Sequence, residues 1–315
     1  MLIAQLLSLS ALAVALPAGQ AASSTCTDQR KRLEWRQLND GDRASFVQSV
    51  QCLTTKPSRL DLNTTLYDDF AHVHQALDKK INLVGSFLPW HRYFVHVYEK
   101  ALQDCGYNGT ATYWDWTLDA EDPVNSKIWD AESGLGGNGN SDKAEKHGDN
   151  TYNCVTDGPF ADLKPAYHND DEESHCLSRE FNSGSEKPGD MFKEEYSKMS
   201  LKRIQGRFDY QNFRVQLEEG PHLAINTGVG GDMATPTAPN DPLFFLHHAQ
   251  IDRLWWEWQQ KLPSQRNKEY SGIKTQDDDS SQVSLDDTLE MLGLADDVKV
   301  KDVMTTDTDL LCYKY

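Results

Sequence analysis

The chain is short of positive charge. Its 315 residues hold 31 Lys and Arg against 49 Asp and Glu, a formal net charge of −18 at pH 7. That balance argues against nucleic acid and anionic membrane surfaces as partners, because both repel an acidic exterior. A solvated acidic surface that keeps the protein soluble is the plainer role of the excess charge. Long apolar runs are scarce as well. Leu2 to Leu16 is one, followed by Pro17-Ala-Gly-Gln-Ala21. It is too short for a bilayer span and ends in small residues, which reads as a secretory signal peptide over residues 1–21, although no Lys or Arg precedes it. No other stretch is apolar enough to cross a membrane. An internal repeat, a nucleotide-binding glycine loop and a nucleophile elbow are also missing. Residues 22–315 suit one large domain.

Cysteine is sparse but even in number, and all six lie beyond residue 21. In a secreted chain this predicts three disulfides. Six cysteines allow 15 pairings, and the sequence does not select among them. The set expected here is Cys26–Cys312, Cys52–Cys105 and Cys154–Cys176. Asn63-Thr-Thr and Asn108-Gly-Thr are glycosylation sequons, consistent with secretion.

Against these absences stands one dense stretch, Asn82 to Glu99, containing Phe87-Leu-Pro-Trp-His-Arg-Tyr-Phe94. Pro89 suits a first helical turn, where its missing N–H costs nothing. His91, Phe94, Val95, Tyr98 and Leu102 then recur at helical spacing on one face. A lone histidine on such a face is more often a hydrogen-bonded core residue than a ligand. A second stretch repeats the design, Asp241-Pro-Leu-Phe-Phe-Leu-His-His-Ala-Gln-Ile-Asp252. There Asp241 can cap and Phe244, His248, Ile251 and Trp255 share a face. His222 follows Gly220-Pro221, and His72 and His74 lie in a further helical pattern. Helices that each bring an imidazole to a shared interior are how bundles build metal sites, and imidazole suits copper, zinc, iron and nickel.

FLPWHRYF, with Glu99 eight residues after His91, and DPLFFLHHAQIDRLWWEW resemble the two copper signatures of the tyrosinase family, which includes tyrosinases, catechol oxidases and molluscan haemocyanins. YWDW at Tyr113–Trp116 and the ending LLCYKY resemble the short fungal members. The likeness runs from about Asp69 to Tyr315. It implies a mainly α fold: a four-helix-bundle core of the tyrosinase/catechol oxidase type with long irregular loops and a few short strands. It also implies two copper ions, each bound by three histidines, and dioxygen and a small aromatic compound as partners.

The family's ligand spacing, carried onto this chain, selects His74, Asn82 and His91 for one copper and His222, Asn226 and His248 for the other. The resemblance therefore suggests sites whose middle histidine is replaced by asparagine at Asn82 and Asn226, and so an under-loading of copper. An amide oxygen is a harder and weaker ligand than imidazole and suits the cuprous state poorly. His72 and His96 are the nearby alternatives, but His72 and His74 differ by about 200° around a helix, so both do not easily face one metal. Asp252, one turn after His248, is expected to orient a ligand ring, and His247 to face the substrate pocket. Leu223 stands where members that hydroxylate monophenols carry an asparagine that orients a water, which favours diphenols. No cysteine lies near position 82 to form the cysteine–histidine thioether of some fungal members.

Three functions follow. One is a copper oxidoreductase acting on o-diphenols or related aryl compounds with dioxygen, tailoring an aromatic secondary metabolite or pigment. The alternative is a copper-depleted member serving such a pathway as a non-oxidative catalyst or binding protein. An oxygen carrier is third, and nothing suggests the large assembly it would need. Elsewhere the pattern predicts helix over residues 30–53, 64–78 and 209–219. Residues 119–190 read as an irregular insertion with surface histidines His147, His168 and His175. Residues 277–281 read as a mobile loop, and strands are expected near 298–303 and 310–313.

Overall fold

The computed structural model describes residues 26–182 and 190–315. The signal-peptide reading lies outside the described residues. The protein is predominantly helical, with a helix-bundle core, long loops and small two-stranded sheets. The helices are α1 (Asp40–Leu53), α2 (Leu66–Ile81), α3 (Phe87–Asp104), α4 (Lys198–Ile204), α5 (Tyr210–Leu217), α6 (Leu223–Val229), α7 (Leu243–Lys261) and α8 (Pro263–Arg266). The strands are β1 (Arg30–Lys31), β2 (Gly139–His147), β3 (Asn150–Val155), β4 (Tyr167–His168), β5 (Asp171–Glu172), β6 (Ile273–Thr275), β7 (Asp278–Gln282), β8 (Thr288–Leu289), β9 (Val298–Lys299) and β10 (Tyr313–Lys314). No helix of the described residues is long and apolar enough to cross a membrane.

Local chemistry sets the ends of the histidine-bearing helices. Thr65 and Asp68 exchange side-chain and backbone hydrogen bonds at the start of α2, a capping box that satisfies two free N–H groups. Pro89 falls in the first turn of α3. The Asp241 side chain accepts from the Leu243 N–H at 2.9 Å and starts α7. Between α5 and α6, Pro221 has no N–H to give, and the chain widens into a π turn over Glu218–His222. That widening aims His222 inward.

α3 packs on α7 and α2, and aromatic rings fill the seam. Phe70 meets Phe94, Tyr98 and Phe245 edge-on at 5.2–5.5 Å between ring centroids. Trp90 stacks on Phe94 at 4.5 Å. Each such fully buried ring contributes roughly 1.5–3 kcal/mol through area removed from water. Below the seam lies a buried ionic knot. Asp252 accepts from Arg92 Nε at 2.5 Å and from Arg32 Nη1 at 3.2 Å, and from the hydroxyls of Tyr313 and Tyr315. Arg32 also reaches Glu99 at 3.0 Å. Parallel pairing of β1 with β10 and the Cys26–Cys312 bond hold the two chain ends together beside it. Cys52–Cys105 and Cys154–Cys176 are the other disulfides. Three disulfides mark an oxidising environment.

Three expectations change. Residues 30–53 are not one helix. Arg32 runs extended into the ionic knot, and Asn39 caps α1 only at Asp40. The insertion is not irregular throughout: β2 and β3 form a hairpin whose Tyr152, Cys154 and Val155 are buried. Nor is 277–281 a free loop. β6 and β7 form a second hairpin, strapped to α2 by the Gln276 N–H to Lys79 O bond and the Lys79–Asp277 ion pair.

Candidate functional site

Five histidines converge between α2, α3, the π turn and α7. His74 and His91 bring their Nε2 atoms within 3.3 Å. The His91 ring stacks on His248 at 4.3 Å between centroids, and His248 lies 5.0 Å from His222, which lies 5.4 Å from His247. Three of these rings have their tautomer fixed by a backbone carbonyl. Nδ1 of His74 donates to Pro236 O (2.6 Å), that of His91 to Phe87 O (2.8 Å) and that of His222 to Glu218 O (3.2 Å). With the proton committed at Nδ1, each Nε2 carries a lone pair.

Burial keeps the rings neutral. It pushes His74 and His222 down to about 4, and His91 and His248 well below the ordinary value, with the neighbouring imidazoles adding to the fall for the last two. Two facing lone pairs 3.3 Å apart repel unless a cation lies between them. Two imidazole nitrogens bound tetrahedrally at about 2.0–2.1 Å from a metal sit roughly 3.3 Å apart. Both nitrogens of His248 are buried without a hydrogen-bond partner, as is Nε2 of His247. Neutral rings, orphaned nitrogens and facing lone pairs fit a metal ion.

A cavity of about 340 Å³ opens on this cluster, lined by His74, His222, Asn226 and Phe244 inside and by Leu83 and Leu223 toward solvent. Glu218, which sequence reasoning missed, also lines it. Burial drives its carboxyl up to about 7, against the Arg214 guanidinium at 2.6 Å and the Leu83 N–H at 2.5 Å, both of which favour the charged form. Its position one helical turn before His222 was the available signal.

The common central domain of tyrosinase matches residues 64–261. The chain belongs to the tyrosinase family. Over 307 residues it is 42% identical to a tyrosinase-like protein, phomQ1', of Diaporthe leptostromiformis, covering 92% of this chain and 80% of that one. It is 40% identical to tyrosinase ustQ of Aspergillus flavus, covering 99% and 87%. Among solved structures, a polyphenol oxidase variant from Thermothelomyces thermophila superposes with a TM-score of 0.77 at 28% identity, over 91% of this chain and 88% of that one. A functional unit of octopus haemocyanin shares the fold alone, with a TM-score of 0.51 at 21% identity.

Within the family, the metal-ligating groups differ from the expected pair of equivalent sites with asparagine in the middle. His222, His247 and His248 bring three imidazole nitrogens within 4.8 Å of one another, so that group has three histidines. The other group of three ligand-type atoms in the described residues is Glu145, Cys154 and Cys176, not a site built on Asn82. Its sulfurs are joined in a disulfide, and Glu145 is engaged by Lys164 and by the Cys176 N–H. A disulfide sulfur lacks the thiolate charge that binds metal. The Asn82 amide nitrogen donates to Asp78 at 2.8 Å, and the Asn226 amide nitrogen lies 3.3 Å from His222 Nε2.

His247 is buried in the cluster rather than facing a pocket. Its Nδ1 accepts from the Trp116 indole at 3.2 Å. Indole nitrogen only donates, so the neutral His247 ring carries its proton on Nε2, opposite to His74, His91 and His222. Asp252 orients no histidine, because its oxygens are taken by the two arginines and two tyrosines of the ionic knot. His72 lies against Tyr167 and His96 against Tyr93, and neither ring stacks with the cluster. His175 is not a surface residue. It is fully buried, with Nε2 on Asp232 at 2.9 Å.

Proposed function

We propose that this family member binds an aryl compound at the imidazole cavity and holds copper below the dinuclear complement of the family. The observation that supports this reading most directly is the asymmetry of the donors. His222 and His248 have a third imidazole beside them in His247, whose Nε2 becomes a donor once its proton moves to Nδ1, whereas among the described residues His74 and His91 belong to no such group of three. Affinity depends on ligand number and type, so copper should be retained better by the first group. Copper, when bound, supplies redox and Lewis-acid chemistry. The protein's own parts then do the rest. His74, His91, His222 and His248 present lone pairs inward. Phe244 and Met233 wall the cavity against water. Glu218, poised near 7, takes or returns a proton at its carboxyl oxygen.

A second reading is an oxidase of o-diphenols with dioxygen, supported by the family match and by the four inward imidazoles. In that case Leu223, half-exposed at the mouth and without a polar group to hold a water, favours diphenols over monophenols. The fungal relatives fit a role in tailoring an aromatic secondary metabolite or pigment. Exposed Asn63 and Asn108 in their sequons and the three disulfides support a secreted glycoprotein.

Copper per chain after loading and dialysis, measured with dioxygen uptake on methylcatechol, separates the two. One copper or fewer, no uptake and retained methylcatechol binding are expected. Two tightly held coppers with diphenol-dependent uptake would establish the oxidase instead.

A further inference from the structure

We infer that the imidazole cavity selects an aromatic compound carrying a protonated amine over the same ring carrying a carboxylate. This rests on the cavity being the aryl-binding site. The charged residues lining it are Asp78, Glu218 and Glu219, with no lysine or arginine among them. They do not count equally. Glu218 is offset by Arg214, so its charge is largely spent inside the protein. Asp78 is bonded only to the neutral Asn82 amide, and exposed Glu219 makes no ion pair among the described residues. The lysines next to Asp78 in sequence point their charge elsewhere, Lys79 to Asp277 and Lys80 to Glu290, each at 2.8 Å.

The uneven charge is particular to this cavity. Across Trp90, which touches both His74 and His91, lies a larger one of about 520 Å³ whose rim mixes Lys80 and Lys274 with Asp277, Asp287 and Glu290. The acid-only lining is therefore more than a consequence of net charge.

Two exposed leucines complete the recognition. Leu83 and Leu223 are 50% and 53% exposed, large apolar side chains left at the mouth. Leu83 sits at φ 58°, a left-handed backbone that leucine rarely adopts. Its N–H on the Glu218 carboxylate holds it there, and the Glu218 carbonyl takes His222 Nδ1. The Leu223 N–H also donates to the Glu218 carbonyl, so one residue ties both leucines to the same rim. An aryl ring fits the apolar rim and the Phe244 wall, and its ammonium meets Asp78 and Glu219.

A unit charge roughly 6 Å away in a water-like medium changes affinity about 3-fold, and salt screens it over about 10 Å at 0.1 M. Two free carboxylates therefore favour an ammonium about tenfold over a neutral ring, and disfavour a carboxylate by a similar factor.

The test measures dissociation constants of dopamine, methylcatechol and dihydrocaffeate by calorimetry on the metal-free protein at low and high salt. KM values are added for any of the three that is oxidised. The expected order is dopamine tightest and dihydrocaffeate weakest, a spread of about 100-fold that salt compresses and that Glu219→Lys nearly abolishes, since the new lysine cancels Asp78. Equal binding of the three, tighter dihydrocaffeate, or an order unchanged in a folded Glu219→Lys protein overturns the inference and leaves the aryl site standing. Binding of none of the three overturns the aryl site and the inference together.

Discussion

Two sets of buried histidines in this chain are in opposite states. The bundle rings meet carbonyls, one another, the Trp116 indole and the Asn226 amide, all of them uncharged, and burial keeps them neutral. His175 is just as enclosed, but its Nε2 meets Asp232 at 2.9 Å and its Nδ1 meets Glu173 O at 2.8 Å. Burial opposes its charge too, yet the Asp232 bond and charge outweigh that, and its pKa rises. The difference teaches that burial alone does not decide what a histidine is for. A carboxylate within reach makes it half of an ion pair. A carbonyl at Nδ1 and no carboxylate at Nε2 leave a neutral ring with a lone pair to give, a ligand in waiting.

The comparison breaks most visibly in acid. In the metal-free protein, His74 and His222 titrate at about 4 when folded and near 6.5 when unfolded. The unfolded chain therefore takes up protons first, and stability falls as pH drops from 6.5 to 4, by up to about 3 kcal/mol for each ring. Urea unfolding at pH 7 and 4.5 should show the loss, and bound copper should make it larger, because it keeps protons off the folded rings while the unfolded ones still take them up. A flat profile without metal would mean the rings are not desolvated as described.

Asp232→Asn comes next. It removes the charge that raises the His175 pKa and weakens the buried bonds from Ser178 and Asn240, and should cost about 3–5 kcal/mol in urea. The sign with pH is opposite to that of the bundle. A raised folded pKa gives stability that is complete below about 6.5 and fades as pH rises through the folded value. The variant's deficit should therefore be widest near pH 6 and narrow toward alkaline pH. A deficit that grows with pH would contradict the pairing.

The smallest effect tests the one bundle ring with the reversed tautomer. Trp116→Phe removes the donor at His247 Nδ1, so the proton can move there and free Nε2. Copper retention should rise by about tenfold, the equivalent of roughly 1.4 kcal/mol. Equilibrium dialysis against a chelator measures it. Unchanged or weaker retention would show that His247 does not ligate through Nε2.

The bundle and four of its histidines were readable because their signals are local. Phe87–Glu99 and Asp241–Trp258 announce helix start, apolar face and imidazole within one window. What was misread is governed by distant partners. Asp252 sits one turn from His248 and looked like its orienting carboxylate, but Arg32, 220 residues away, claims it. His247 looked exposed to a pocket, but Trp116, 131 residues away, sets its proton. His175 looked like a surface residue in a polar loop until Asp232 closed over it. Glu218 was missed for the same reason: its place one turn before His222 was a signal, but its burial depends on the distant Leu83 N–H.

The joined chain ends also govern when the protein can finish folding. Cys26 and Cys312 are separated by 286 residues, and Arg32 needs Asp252, Tyr313 and Tyr315 around it. At a synthesis rate of about 5–20 residues per second, the first of these segments waits roughly 15–60 s for the last to be made. During that wait β1 is an unpaired edge and Arg32 has Glu99 but not yet Asp252, Tyr313 or Tyr315. The Cys26–Cys312 bond and the β1–β10 pairing therefore close last, only after Cys312 and Tyr313 have been made.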